Sequence, residues 1–375
     1  MKIAILSSNT LSTPPDLSTV QPGWTTSIHD VVSMITEGLV ARGHDVTLFA
    51  SGDSKTTAKL ESAWDTATVK HWVSSDQFLY VMEDQILIAY CFHKNLTEKY
   101  DLIYSYHALD VGPFAYTLDC PIVATIHGPG AFDLEQKFMP RFIKQPIIVG
   151  LSKPQTKNML LVKFTEIISH GIDQDLFDFD EKGGEDLIYV GRLTAQKGID
   201  KAMKIASDLN KTLKIIGTGE EDYIQSTLNS LVTDYTQLLG KKSKEEISEY
   251  FKKSKAMLFP IRWDEPFGLV AIESLSTGTP VIAFAKGAMP EIIEDGKTGF
   301  LVNLDEKNIN GDWIIKETGE EGIRKAIAKI YGLTNNEYEE MRLNCRNIVL
   351  NKYTKEIMIN KYENLFERII KGEVE

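Results

Sequence analysis

Apolar residues in this chain fall in short runs, separated almost throughout by amphipathic stretches. KIAILS (2–7), DVTLFA (45–50), DLIYSY (101–106), PIVATIH (121–127), PIIVGLS (146–152) and TEIISH (165–170) predict strands. Between the first two, residues 25–42 place Ile28, Val31, Val32, Ile35, Leu39 and Val40 at helical spacing, and Gly43 supplies the stop. The pattern then restarts with DLIYVG (186–191), LKIIG (213–217), TQLLG (236–240), AMLFPI (256–261), PVIAFA (280–285) and GFLV (299–302). Strand–helix alternation of this kind predicts parallel sheets covered on both faces by helices, hence an α/β chain of two facing, doubly wound domains. The polar, Gly- and Asp-rich segment 171–186 reads as a linker between a first domain, 1–170, and a second, 171–353. Further helices are predicted near 318–331, 336–350 and 354–371, the last long enough to return to the first domain and carry 354–375 with it.

The sharpest chemical feature is EPFGLVAIE (265–273). Pro266 suits a first helical position, so a helix is predicted to start there, with the backbone N–H groups of Phe267, Gly268 and Leu269 open to a ligand above the sheet. Helical rise would separate Glu265 from Glu273 by about 12 Å. That exceeds the roughly 5–9.5 Å of a glycosidase carboxylate pair, but suits the two ends of an extended ligand. Alone, such a spacing is more often an acidic helix start beside an unrelated glutamate. GRLTAQKG (191–198) sets Arg192 and Lys197 beyond the carboxyl end of another strand, where doubly wound domains place ligands. A planar fork and a point charge together would hold a diphosphate. Singly, each is more often an exposed charge. Both motifs lie at strand ends of one predicted sheet, and that coincidence favours a site.

Other signals narrow the choice. GTGEED (217–222) is a broken dinucleotide fingerprint with acidic residues at the helix start, so NAD is not expected. The D-F-D at 178–180 lies in the linker and reads as a solvated acidic turn rather than a metal site. Cys91, Cys120 and Cys345 are far apart, which suggests neither disulfides nor zinc and points to a reducing, cytoplasmic compartment. The N-terminal residues read as a buried strand rather than a signal peptide, and no run of about 18 apolar residues predicts a membrane span. The net charge is -12, and residues 1–150 alone hold 10 basic against 16 acidic residues. No basic domain emerges, so neither nucleic acid nor membrane association is expected, and weak binding to anionic liposomes is predicted.

In combination these motifs resemble a family. G-R-L-x3-K, E-P-F-G-L-V-A-I-E, G-T-P-V-I-A (278–283) and P-E-I-I-E-D-G-K-T-G-F-L-V (290–302) are similar to retaining glycosyltransferase family 4, of the GT-B fold. R-G-H-D-V-T-L-F-A (42–50) and T-I-H-G (125–128) agree in the first half, so the resemblance covers nearly the whole chain. It implies an acceptor-side first domain and a second domain that binds a nucleotide sugar, a UDP-hexose foremost, with GDP and ADP forms left open. Arg192 and Lys197 would bind the diphosphate and Glu273 the ribose. Glu265, His127 and the backbone of Phe267, Gly268 and Leu269 would lie at the hexose. Neither a metal ion nor a cofactor is implied. Where the family carries a Gly-Gly pair after its first strand, this chain has PGWTTSIHD (22–30), with Gly23 alone recognisable and Trp24 beside it. Phosphate contacts from that loop are therefore open, and an aromatic there could stack on an acceptor ring. The acceptor expected from charge is a soluble small molecule, glycan or peptide. Alternatives are a nucleotide-sugar epimerase of the same architecture or a non-catalytic nucleotide-sugar binder.

Overall fold

A computed structural model of the chain describes residues 1–20, 26–71, 77–128 and 134–374. The chain divides into two compact units, Met1–Gly171 with Lys355–Glu375, and Ile172–Thr354.

The first unit is built on a seven-stranded sheet: β1 (Lys2–Leu6), β2 (Asp45–Phe49), β3 (Lys59–Glu61), β4 (Leu102–Ser105), β5 (Ile122–Thr125), β6 (Ile147–Gly150) and β7 (Phe164–Ile167). Its order is β3-β2-β1-β4-β5-β6-β7, and every pairing is parallel. Ile3, Ala4, Ile5 and Leu6 are buried on both faces of the sheet, which is why these strands read as unbroken apolar runs. The elements not foreseen include an edge strand and a long helix. β3 is an edge strand of three residues, too short to show a period. The helix Gln77–Glu98 buries Leu87, Ile88 and Cys91 but leaves Val81, Met82, Ile86 and Leu96 exposed, so its apolar residues trace no single stripe.

The helix Ser27–Ala41 lays Val31, Val32, Ile35 and Leu39 into the core. Gly38 receives the last helix, Lys355–Ile370: a Cβ at position 38 would meet Ile359 Cδ1 at 2.3 Å. Tyr362, Leu365 and Phe366 of that helix are fully buried. The Tyr362 hydroxyl shares a hydrogen bond of 2.8 Å with Thr125 Oγ1 and accepts one from Tyr104. Glu363 holds both Arg42 and His44 at 2.7 Å. The C-terminal helix therefore completes the first unit.

The second unit carries a six-stranded parallel sheet of β8 (Asp186–Val190), β9 (Leu213–Ile216), β10 (Thr236–Gly240), β11 (Ser254–Phe259), β12 (Val281–Phe284) and β13 (Gly299–Val302). The order is β10-β9-β8-β11-β12-β13. The segment expected to be a linker is instead packed into this unit. Ile172 and Phe177 are buried, and Arg346 donates to the carbonyls of Gln174 and Phe177 at 3.0 and 2.9 Å. Two apolar side chains in a polar stretch were enough to seat it. Asp178 pairs with Lys252 at 2.8 Å, and Asp180 accepts from the N–H groups of Lys182 and Gly183.

Arg342, on the helix Asn335–Lys352, is wholly buried beneath this segment. It donates to the carbonyls of Asp180 (2.9 Å) and Thr277 (3.1 Å), and the Asp180 carboxylate lies 3.8 Å away. Carbonyl dipoles thus do most of the work of holding a cation out of water. Arg342→Met leaves those acceptors unsatisfied and is expected to cost about 3 kcal/mol or more. A urea midpoint unchanged from the parent would refute this account.

Candidate functional site

The loop after β8 is shaped by glycine at its far end. Residues Ala195–Lys197 form one tight turn, which Gly198 ends at φ +75 before the helix Ile199–Asp208. A Cβ on Gly198 would strike the Pro260 carbonyl oxygen at 1.9 Å, so only glycine allows this approach to the loop after β11. On the other side, Leu193 N–H donates to Thr218 O at 2.9 Å. The G-T-G of 217–219 lets these two loops touch: a Cβ on Gly219 would lie 2.2 Å from Leu193 O.

From β11 the chain runs through Arg262, Trp263, Asp264 and Glu265. Arg262 N–H donates to Gln196 O at 2.8 Å and its guanidinium pairs with Asp200, joining the two loops. One carboxylate oxygen of Glu265 takes both Lys197 Nζ, at 2.5 Å, and Trp263 Nε1, at 2.7 Å. The ammonium also lies 4.6 Å from the Trp263 ring centroid, where the ring quadrupole favours a cation. Lys197 and Glu265 side chains are each only 12% exposed. Burial lowers the Lys197 pKa; the Glu265 charge and hydrogen bond oppose the shift, and the nearby Arg192 adds to it. Arg192 is half-buried, with its carbonyl accepting from the Tyr189 hydroxyl at 2.8 Å.

The predicted helix start is corrected. The helix is Leu269–Ser276, three residues later than Pro266 allows, because Gly268 sits at φ +108. A left-handed residue cannot lie within a right-handed helix. A Cβ there would also meet Met289 Cε at 2.5 Å. Glu265 is therefore a loop residue, and the separation from Glu273 derived from helical rise does not apply. The turn still directs the first helical N–H groups, those of Leu269 and Val270, out of the helix end. Phe267 is buried edge-on to Tyr353, with centroids 5.7 Å apart, so its side chain belongs to the core. Glu273 is half-buried on the helix itself. From beneath, Ala288 N–H donates to Glu265 O at 2.8 Å, and Lys286 pairs with Asp264 at 2.9 Å.

Arg192, Lys197 and Glu265 thus come together, with the backbone of Gly268 and Leu269 on the same loop. Trp263, which sequence reasoning missed, is the donor that orients Glu265; its one signal was an aromatic two residues before that glutamate. His127 belongs to the first unit, at the end of β5. Among the described residues neither of its ring nitrogens has a partner, and the ring stacks on His170 with centroids 5.2 Å apart. Burial, then the neighbouring His170, keeps its pKa well below the usual histidine range, so the ring is neutral. Gly23 and Trp24 lie outside the described residues.

Removing the carboxylate exposes the cost of the buried ammonium. In Glu265→Gln, burial and Arg192 act on Lys197 unopposed, and its pKa falls further. Between that pKa and about 10.4, the unfolded lysine value, the unfolded state binds more protons, so stability rises with pH in this window. The variant is expected to lose about 3 kcal/mol near neutral pH and to regain part of it at alkaline pH. Urea unfolding at both pH values checks this, and an equal loss at the two would refute it.

Two family models match the chain: Glycosyltransferase Family 4 over residues 29–152, and Glycosyl transferases group 1 over residues 173–310. The first includes His127; the second includes Arg192, Lys197, Glu265 and Glu273. An uncharacterised glycosyltransferase of Methanocaldococcus jannaschii is 28% identical over 264 residues, covering 65% of this chain and 73% of that protein. Among solved structures, sucrose-phosphate synthase from Thermosynechococcus elongatus aligns with a TM-score of 0.76 at 18% identity, over 99% of this chain and 100% of the other. Anabaena HepE, solved in complex with UDP and glucose, gives 0.69 at 16% identity, over 98% and 99%. At such identities the structures speak for the fold. Together with the two family matches, which follow one another in chain order, they make this chain a glycosyltransferase of the family 4 type, with the GT-B fold.

Proposed function

We propose that this glycosyltransferase moves a hexose from a nucleotide sugar, a UDP-hexose foremost, to an acceptor hydroxyl, with retention of anomeric configuration and without a metal ion. The observation that carries this reading is the Lys197 ammonium, held out of water beside Glu265 and close to Arg192 at the carboxyl edge of a parallel sheet. The complexes of HepE with UDP and glucose support the choice of donor by likeness of fold.

The chemistry follows from where charge develops. As the bond from the anomeric carbon to the phosphate oxygen breaks, its electron pair stays on the departing diphosphate. Arg192 offers that group a planar fork, and Lys197 the N–H donors that Glu265 leaves over. Fixed cations in a poorly hydrated site oppose this charge without reorganising, which is the service a divalent ion gives elsewhere. The acceptor oxygen attacks from the face the diphosphate leaves, and a phosphate oxygen takes its proton, so the products are a glycoside and a nucleoside diphosphate. Glu265 and the N–H groups of the Gly268–Leu269 turn are assigned to the sugar hydroxyls and Glu273 to the ribose. His127, neutral and with its ring nitrogens uncommitted, is assigned to the hexose.

Calorimetric titration with UDP, GDP and ADP tests the reading. One nucleotide is expected to bind, with binding lost in Arg192→Ala. Glu273→Ala is expected to weaken it by about ten- to a hundredfold, as for a lost charged hydrogen bond. Glu265→Ala is expected to keep nucleotide affinity and lower turnover by about a hundredfold. Unchanged nucleotide affinity in Glu273→Ala would remove its ribose role, and no binding of any nucleotide would move the reading to a non-catalytic protein.

A further inference from the structure

Net charge is an average, and in the first unit the average conceals a segregation. Residues 134–163 hold Lys137, Arg141, Lys144, Lys153, Lys157 and Lys163 against one acidic residue, Glu135. All six basic side chains are exposed. Lys137, Arg141, Lys144, Lys157 and Lys163 form no ion pair with a carboxylate among the described residues. Elsewhere in the unit several cations are engaged by carboxylates: Lys70 by Asp53, Lys59 and Lys94 by Glu61, Lys2 by Glu98. Those lysines are thus paired, whereas Lys137, Arg141, Lys144, Lys157 and Lys163 of this one face are not.

The same face leaves large apolar side chains in water. Leu134, Phe138 and Leu161 are exposed, and Ile143 and Leu160 are 80% and 84% exposed. Hydrogen bonds bring the two segments side by side. Gln136 donates to Asn158 O at 3.2 Å and accepts from Leu161 N–H at 3.4 Å, which sets Lys137 and Phe138 beside Lys157, Leu160 and Leu161. Gln145 donates to Met139 O at 3.0 Å, and Lys144 to Leu118 O at 3.3 Å, folding the Ile143 turn back onto the same region. Exposed aliphatic tips forgo the stabilisation of burial, and contiguous ones mark an interaction site.

We propose that this face docks on an anionic lipid bilayer, with its lysines among the phosphate headgroups and its leucine, isoleucine and phenylalanine side chains at the acyl boundary. Interleaved lysines and aliphatic tips suit that boundary. A nucleic acid would ask for stacking aromatics, and four of these five apolar side chains are aliphatic. The core of a protein interface is depleted in lysine. The mode is peripheral, since no helix among the described residues is long and apolar enough to cross a membrane.

The full chain is to be sedimented with vesicles of phosphatidylcholine alone or mixed with phosphatidylglycerol, at low and high salt. Sedimentation is expected with the anionic vesicles only and is to fall with salt. Lys137→Glu/Lys157→Glu is expected to weaken partitioning on the order of 25-fold or more, about fivefold for each lost basic charge. Phe138→Ser/Leu160→Ser is expected to weaken it about tenfold. Circular dichroism melts and nucleotide titration show that both variants remain folded. No sedimentation of the parent, or equal sedimentation with neutral vesicles, would overturn the proposal. So would an apolar variant that binds like the parent, which would leave a generic polyanion patch. Self-association of the parent in vesicle-free buffer, lost in the apolar variant, would assign the face to a second copy of the chain instead.

Discussion

A lysine ammonium removed from water must find a carboxylate, and Lys197 finds one on a different loop. That single requirement organises the ligand edge of the second unit. To bring Glu265 within reach, the loop after β11 must leave its strand early, pass close to Gly198 and turn again at Gly268 before its helix begins. Trp263 is drawn in because the same carboxylate oxygen can accept a second donor. A buried ion pair is seldom a source of stability compared with apolar packing. Under the proposed function, its presence here, at the carboxyl end of a parallel sheet, keeps a charge ready for an anionic ligand rather than serving as a brace.

The glycines of this edge answer to different causes. Gly198 and Gly268 stand at positive φ, which a side chain resists wherever it points. Gly219, in the G-T-G that resembles half of a dinucleotide fingerprint, is demanded by the closeness of a neighbouring carbonyl. A motif search treats these alike, yet only the local geometry tells a phosphate-binding turn from two loops pressed together.

Much of the fold was legible because strands buried on both faces cannot alternate; their apolar runs stand out, and ten strands of the described residues lie within the runs identified, while Phe164–Ile167 and Ser254–Phe259 overlap theirs. What escaped notice was set by contacts distant in sequence. The helix start after Pro266 is delayed by the left-handed turn at Gly268, where Met289 leaves no room for a side chain. The packed course of residues 172–177 depends on Arg346, some 170 positions away. At the site, the residue types of Arg192, Lys197 and Glu265 could be named from motifs, but not that Glu265 holds Lys197, nor that Trp263 holds Glu265. Net charge over half the chain, in turn, carries no information on which side chains pair or on which face the cations gather.

The return of the helix Lys355–Ile370 to the first unit has a consequence for the order of assembly. During synthesis the sheet of the first unit emerges first, but the partner that fills the space at Gly38 and meets the Thr125 hydroxyl is made only after the whole second unit. Domains ordinarily fold as units in the order they leave the ribosome. Here the half begun first is finished last, so its nascent core must wait, partly uncovered, while the later half is already complete.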